Sequence, residues 1–491
     1  MISANNELFS CSKNTRNRSL KKTNKEYQKT KLMKVFKRML TLLFISFSAL
    51  SIAQPIEGTL NWYNQEGQGM YTEKAYNYLK KKKSQTVIVG VIDSGVDIEH
   101  EDLKGQIWVN EDEIPNNGID DDNNGYIDDV HGWNFLGNAK GEHVNDARLE
   151  KTRILAQLKD KYDGIDPNSI AQDDEYKLYL QVKEEVAADR AQFEQYMDMI
   201  DQLPKEAQDY IRSQMDYNLN VDFDDRSLIG DDPDDFTDTN YGNNDVEGPD
   251  ALHGTHVSGI IGALRGNGLG GDGVAENVKI MSLRAVPNGD EFDKDIALAV
   301  RYAVDNGAMV INMSFGKAYS PHQKEVYEAF KYADSKGVLL IHAAGNDAKD
   351  IDVEPNYPTS MYSFQTEPLD HFVTIGASTK NKGEEMVASF SNYGAKGVDV
   401  FAPGFEIYNT IPQSKYRNLQ GTSMAAPMVA GAAAMLKSYF PELSMKEIKE
   451  VLYSTSVRYP KVDGFAEKSV TGGVINIYNA AKACKKLAKK K

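Results

Sequence analysis

The chain has 491 residues, 41% hydrophobic and 26% charged, with 38 Gly and 16 Pro. That length allows two or three domains, or one large α/β domain carrying insertions. A mean hydropathy of −0.51 excludes a polytopic membrane protein, and the composition excludes collagen-like, low-complexity and wholly disordered chains. The formal charge of −16, from 72 acidic and 56 basic residues, argues against a nucleic-acid partner, which needs a basic surface.

Residues 31–54 show the three-part export pattern. Lys31, Lys34, Lys37 and Arg38 form a basic flank, Met39–Ile52 an apolar stretch, and Ser51-Ile52-Ala53 a small-x-small cleavage site. The stretch is short for a membrane span, which needs about 20 apolar residues. Residues 1–32 are odd upstream of such a signal, so Met33 is the expected start. Cleavage after Ala53 removes 11 basic and two acidic residues, leaving 45 basic against 70 acidic, net −25. It also removes Cys11 and leaves Cys484 alone, so no internal disulfide is expected.

A polar arm, 54–84, ends in Lys80-Lys81-Lys82-Lys83. Thr86–Ile92, apolar on both faces, then predicts a buried parallel strand ending at Asp93. Asp120, Asp122, Asn124 and Asp128 offer oxygen ligands around a Gly turn, a pattern similar to the start of an EF-hand calcium loop. The twelfth position is His131 rather than Glu, so the expectation is a hard cation, taken to be structural calcium, outside a true EF-hand.

Gly is absent from Ile165 to Ile229, and Tyr179, Val182, Val186, Phe193, Tyr196, Ile200 and Leu203 recur at helical spacing. Three helices are predicted, near 146–162, 170–202 and 204–216. Residues 222–250 hold eleven acids and one base, Arg226, and suggest a solvated acidic loop or a cation-binding one. Beyond 253 strand-like and helical runs alternate. Strands are expected at Lys279–Leu283, Met309–Met313, Val338–Ala343, Phe372–Ala377 and Val398–Phe401. Helices are expected at Lys294–Asn306, Pro321–Lys336, Ser423–Tyr439 and Ser444–Thr455. Such alternation gives an α/β fold, a doubly wound, mainly parallel sheet with helices on both faces and active residues at strand carboxyl ends.

Four residues suggest chemistry. Singly, Asp93 could cap a turn, His256 in HGTHVSGIIGA could be a packed core residue, and Ser423 in GTSMAAPMVAGAAAML could cap a helix. Together they supply what acyl transfer needs: a hydroxyl, a base for its proton and a carboxylate to orient that base. Asn346, in LLIHAAGND, can donate to a developing oxyanion beside the Ser423 backbone N–H.

With these motifs in hand, the sequence resembles the subtilisin-like serine proteases, the subtilase family, over roughly 85–135 and 250–480. The order Asp, His, Ser matches theirs and differs from the α/β-hydrolase order. The resemblance implies that Asp93 orients His256, that His256 is the general base, Ser423 the nucleophile and Asn346 the oxyanion donor. It implies that Ser314-Phe315-Gly316 pairs with an extended substrate and that Ala343-Ala344-Gly345 walls the pocket for the residue before the cut, with Asn356 near its floor. Calcium binding is frequent in the family and supports the loop assignment.

The domain reading is an export signal with upstream extension at 1–53, an arm at 54–84, a catalytic domain at 85–139 and 250–483, an acidic helical insertion at 140–249 and a basic tail at 484–491. About 31 residues separate signal and first strand, too few for the folded inhibitory propeptide of many relatives. The expected protein is an exported, periplasmic or extracellular endopeptidase acting on polypeptides, with no catalytic cofactor. No nucleic acid and no stable membrane association after signal cleavage are expected, and a monomer is. The rival reading is a non-catalytic peptide-binding or chaperone-like relative.

Overall fold

Strands that are apolar on both sides need cover on both faces, and the alternating helices provide it. The computed structural model describes residues 60–165 and 173–491. The export segment with Met33, its cleavage site and Cys11 lie outside the described residues.

In chain order the N-terminal part carries α1 (Thr72–Leu79), β1 (Val87–Asp93), β2 (Gly132–Asn134), α2 (Glu150–Tyr162), α3 (Asp174–Met197), α4 (Lys205–Ser213) and α5 (Leu252–Gly262). The middle carries β3 (Val278–Arg284), α6 (Asp293–Asp305), β4 (Val310–Met313), α7 (Gln323–Ser335), β5 (Leu339–Ala343), β6 (Phe372–Ser378) and β7 (Val400–Pro403). Last come β8 (Ile407–Ile411), β9 (Lys415–Leu419), α8 (Thr422–Tyr439), α9 (Met445–Thr455), β10 (Val457–Arg458), β11 (Gly473–Val474) and α10 (Ile477–Ala488).

The sheet runs β10-β11-β7-β6-β5-β4-β1-β3-β2, and every pairing in it is parallel except β10 with β11. The chain leaves β1 to build β3 on one side and then crosses to build β4 on the other. That reversal is a switch point, where the loops after neighbouring strands diverge and open a crevice at their carboxyl ends. Asp93 is the last residue of β1 and sits at this point.

Helix α8 is buried nearly all round, as a helix apolar on every face must be. Its alanines and glycines permit close approach; a Cβ on Gly431 would lie 2.8 Å from Val274 Cβ. At the start of α9, Ser444 and Glu447 form a reciprocal capping box. Strand and helix bounds in the alternating region fall within about two residues of those expected from the sequence. Not anticipated were the antiparallel β8–β9 hairpin, α1, and α10, which runs through Cys484 into the basic tail.

The three insertion helices form where the sequence suggested. Tyr162, Tyr176, Tyr179, Val182 and Val186 build a core of their own with Ile154, Leu155 and Leu219. The insertion nevertheless does not separate from the body: the described residues fall in one compact unit. The acidic segment that follows is more than a solvated loop, for its single base is an anchor. Arg226 is buried and bonded to Asp231 and to Asp295, at 2.9 and 2.7 Å to the latter's two oxygens. Lys294 is fully buried against Asp231, and the Tyr241 hydroxyl donates to Asp295 Oδ1. Buried charge is tolerated only when paired and hydrogen-bonded, and this network is both.

Candidate active site

Asp93 is 2% exposed, and its Oδ1 accepts the Ser94 N–H at 2.8 Å. The group that meets it is His253, in the first turn of α5: Nδ1 lies 2.7 Å from Asp93 Oδ1. A ring nitrogen so placed against a carboxylate carries the proton, which leaves Nε2 as the basic end. Burial disfavours the imidazolium, but the Asp93 charge and hydrogen bond outweigh it, and the His253 pKa lies above its ordinary 6.5. Gly254 makes the approach possible, since a Cβ there would stand 2.1 Å from the Gly95 carbonyl oxygen and 3.1 Å from Asp93 Cβ.

The expectation that Asp93 orients His256 is therefore corrected. His256 is wholly buried, with Nε2 at 3.0 Å from the Ile407 carbonyl and 3.1 Å from that of Arg417. Two acceptors require Nε2–H, so this ring donates to the backbone of β8 and β9 and ties the hairpin to α5. Burial pushes its pKa down to about 3, so it stays neutral. The two histidines are three positions apart, which turns the second about 60° around the helix and carries it about 4.5 Å along the axis, away from β1. Only the structure separates the two: Gly254–Gly262 are all buried, while His253 stands at the partly exposed start of α5.

Ser423 is the second residue of α8, with Gly421 at the cap in the left-handed region (φ 150°). Of the eighteen residues of α8 only Ser423 and Lys437 are not buried, so the hydroxyl stands at an opening. Pro427 has no N–H to offer the Ser423 carbonyl four residues back. That carbonyl instead accepts from Ser314 Oγ at 2.9 Å, while Ser423 Oγ donates to the Ser314 carbonyl at 3.0 Å. Asn312 Nδ2 supports Ser314 Oγ at 2.9 Å.

Asn346 follows β5, and its Oδ1 accepts both Thr422 N–H (2.8 Å) and Thr422 Oγ1 (3.1 Å). With the oxygen so occupied, Nδ2 is the end left to donate, one residue from Ser423. Thr422 Oγ1 also accepts the Gly345 N–H at 3.0 Å, so one side chain ties the helix start to the loop after β5. This role was not anticipated from the sequence.

Ser314, Phe315 and Gly316 line a recess of about 300 Å³ together with Asp93, His253 and Gly289. His342, buried on β5, supports this edge from behind with Nε2 at 2.9 Å from the Phe315 carbonyl. Ala343 and Ala344 are buried, and the Ala344 carbonyl accepts from Asn356 Nδ2 (3.2 Å) and Asn392 Nδ2 (2.8 Å). Gly345 has φ 100°, and a Cβ there would lie 2.3 Å from Asn392 Nδ2. Asn356 stands beside Gly316, and Lys317 pairs with Tyr357 through both backbone hydrogen bonds.

The acidic loop needs a second correction. Asp120 and Asp122 come together with Glu113, which the sequence pattern missed because it lies outside the alternating motif. Asn124 turns its amide nitrogen to Asp122 and Asp129, and its Oδ1 accepts the Tyr126 N–H. Asp128 adopts φ 54° and uses both oxygens on the backbone of Asn117 and Gly118. Asp128 does not belong to the carboxylate cluster. Glu113 Oε1 accepts the N–H groups of Asp121 and Asp122, whereas its buried Oε2 has no partner among the described residues.

The sequence profile described as "Subtilase family" matches residues 84–478. A thermophilic serine proteinase of Bacillus sp. (strain AK1) is 37% identical over 247 residues, half of this chain and 55% of that protein. Subtilisin DY of Bacillus licheniformis is 36% identical over 206 residues, 42% of this chain and 70% of that one. The chain thus spans about half the length of the first of these relatives. Among solved structures, one titled as proteases from Pseudoalteromonas arctica PAMC 21717 aligns with TM-score 0.50 at 21% identity. The alignment covers 86% of this chain and 97% of that one, a likeness of fold.

Proposed function

The chain belongs to the subtilase family, and on that premise we propose that it is an exported serine endopeptidase working through an acyl-enzyme on Ser423. The observation that carries this reading is the 2.7 Å contact between Asp93 and His253, which line one recess with Ser314, whose carbonyl accepts the Ser423 hydroxyl. Ser423 Oγ swings from the Ser314 carbonyl toward His253, gives its proton to Nε2 and attacks the substrate carbonyl. Negative charge on that oxygen meets Asn346 Nδ2 and the Ser423 N–H, at the positive end of α8. His253 then protonates the leaving amine, and water, deprotonated by the same nitrogen, releases the acyl group. Asp93 holds the ring's tautomer and offsets its charge.

Export rests on the sequence pattern at 31–54, and a relative named cell wall-associated protease, from Bacillus subtilis, fits it. Among the described residues no helix is long and apolar enough to cross a membrane. A structural calcium ion is part of the same reading, on Glu113, Asp120 and Asp122. The unpartnered buried oxygen of Glu113 suits a hard cation with oxygen ligands, and no catalytic step runs through it.

A fluorophosphonate probe tests the reading. Ser423 should be labelled, and Ser423→Ala should lose both label and peptide hydrolysis. A folded parent that takes no label would leave a peptide-binding protein without catalysis.

A further inference from the structure

The helical insertion is bonded to both edges of the crevice. On one edge Asn288 N–H donates to the Asn145 carbonyl at 2.7 Å, and Ala147 N–H returns to that of Asn288 at 3.1 Å. On the other edge Lys317 follows directly after Ser314–Gly316. Its buried ammonium meets Glu150 of α2 at 2.6 Å, Asp293 at 2.8 Å and the Glu291 carbonyl at 2.8 Å. Arg153 completes the knot, donating to Glu150 at 2.6 Å and to the carbonyls of Asp290 and Glu291. A decorative bundle resting on its own core has no need of desolvated charges reaching into the body.

Between insertion and body lies a cleft of about 1070 Å³. It begins at Gly316 and Asn356, where the pocket for the residue before the cut is expected, and its far side is formed by α2 and α3 with Gln157, Glu185 and Asp189. At one end the Tyr319 hydroxyl donates to Glu185 Oε1 at 2.8 Å, joining the two walls. The lining holds six carboxylates and three ammonium groups.

We propose that α2 and α3 form the outer wall of the groove for substrate residues ahead of the scissile bond, and that this wall selects extended polypeptides carrying Lys or Arg there. The proposal rests on the endopeptidase reading. An extended segment leaving the Gly316 edge passes α2 and α3, and with Asp189, Glu354 and Glu175 paired to Lys151, Lys349 and Lys161, the charge left on Glu185 and Asp347 attracts cationic side chains while disfavouring acidic ones.

The test uses the full protein and two matched peptides that differ only by Lys or Glu two to four residues ahead of the cut. The parent should favour the Lys peptide at least about three-fold in kcat/KM. Glu185→Lys, on α3, should shrink that ratio about three- to ten-fold, the scale of reversing one exposed charge pair. Gln157→Lys, at an exposed position on α2, should act in the same direction and carries the test if Glu185→Lys fails to fold. Equal cleavage of both peptides by the parent overturns the wall. So does an unchanged ratio in folded variants whose Ser423 still takes the fluorophosphonate. A folded parent that takes no label fails at the catalytic reading instead, and the selection falls with it.

Discussion

Helix α8 in the sheet body buries sixteen of its eighteen residues, mostly Ala, Gly and Met, whereas α3 in the insertion buries five of twenty-four, three of them Tyr. The body is defined by close backbone approach: Gly254 against Gly95, Gly345 against Asn392, Gly431 against Val274. The insertion is defined by an aromatic strip and by ion pairs at its edges. Close approach fixes atoms to within a few tenths of an ångström, which a proton relay requires. An aromatic strip with charged anchors tolerates substitution and suits a surface that chooses among substrates. The proposed catalysis on the body and the proposed selection on the insertion fit that difference.

The comparison breaks most visibly inside α5, where two histidines divide catalysis from packing. His253→Ala should lower kcat about 10⁶-fold, the scale known for subtilisin, with the melting temperature nearly unchanged. His256→Ala should leave the chemistry intact and cost about 1–3 kcal/mol, because two hairpin carbonyls lose their donor. Activity and denaturant midpoints on both variants settle the division, and the opposite pattern would restore His256 as the base.

Arg226→Leu asks whether the acidic segment is anchored or merely solvated. It strands Asp231 and Asp295 in the interior, so chemical denaturation should show a loss of about 3–5 kcal/mol. A change below 0.5 kcal/mol would mean the network is dispensable.

Asn346→Leu removes a donor while keeping side-chain size. The expected loss is about 10²–10³ in kcat with little change in KM. A rise in KM alone would move Asn346 from oxyanion contact to substrate binding.

Chelation probes a third kind of stiffening. EDTA should lower the melting temperature, since an ion held only by the native state stabilises it by about 2.7 kcal/mol at a hundred times its Kd. Glu113→Gln with Asp122→Ala should abolish that sensitivity, whereas Asp128→Ala should preserve it. Identical melting curves with and without EDTA would reduce the loop to an acidic turn.

The smallest effect is the pH profile. His253 must be neutral to accept the Ser423 proton, and its pKa lies above 6.5. Below that pKa kcat/KM should fall about ten-fold per unit, with the acid-limb midpoint above 6.5. Thermodynamic linkage runs the other way. A raised histidine pKa stabilises the fold below 6.5, and that contribution fades as pH climbs through the higher value. A profile peaking near pH 4 would point to carboxylate chemistry.

Much of this was legible without coordinates. Strand runs apolar on both faces, the helical periodicity from Tyr179 to Leu203 and the positions of Asp93, Asn346 and Ser423 are local properties of the chain. Local periodicity reports which face is apolar and where an element ends, and both survive into the fold. Three things were settled only by the tertiary structure. His253 rather than His256 meets Asp93, Glu113 rather than Asp128 joins Asp120 and Asp122, and Arg226 is an interior anchor. Each depends on which of several similar side chains meets its partner, 160 residues apart for His253 and Asp93, 69 for Arg226 and Asp295, and nine or fewer for Glu113 and the two aspartates. Composition and spacing fix the kinds of groups available, but a helix rotates by about 100° per residue, so a shift of three positions decides between an open crevice and the core.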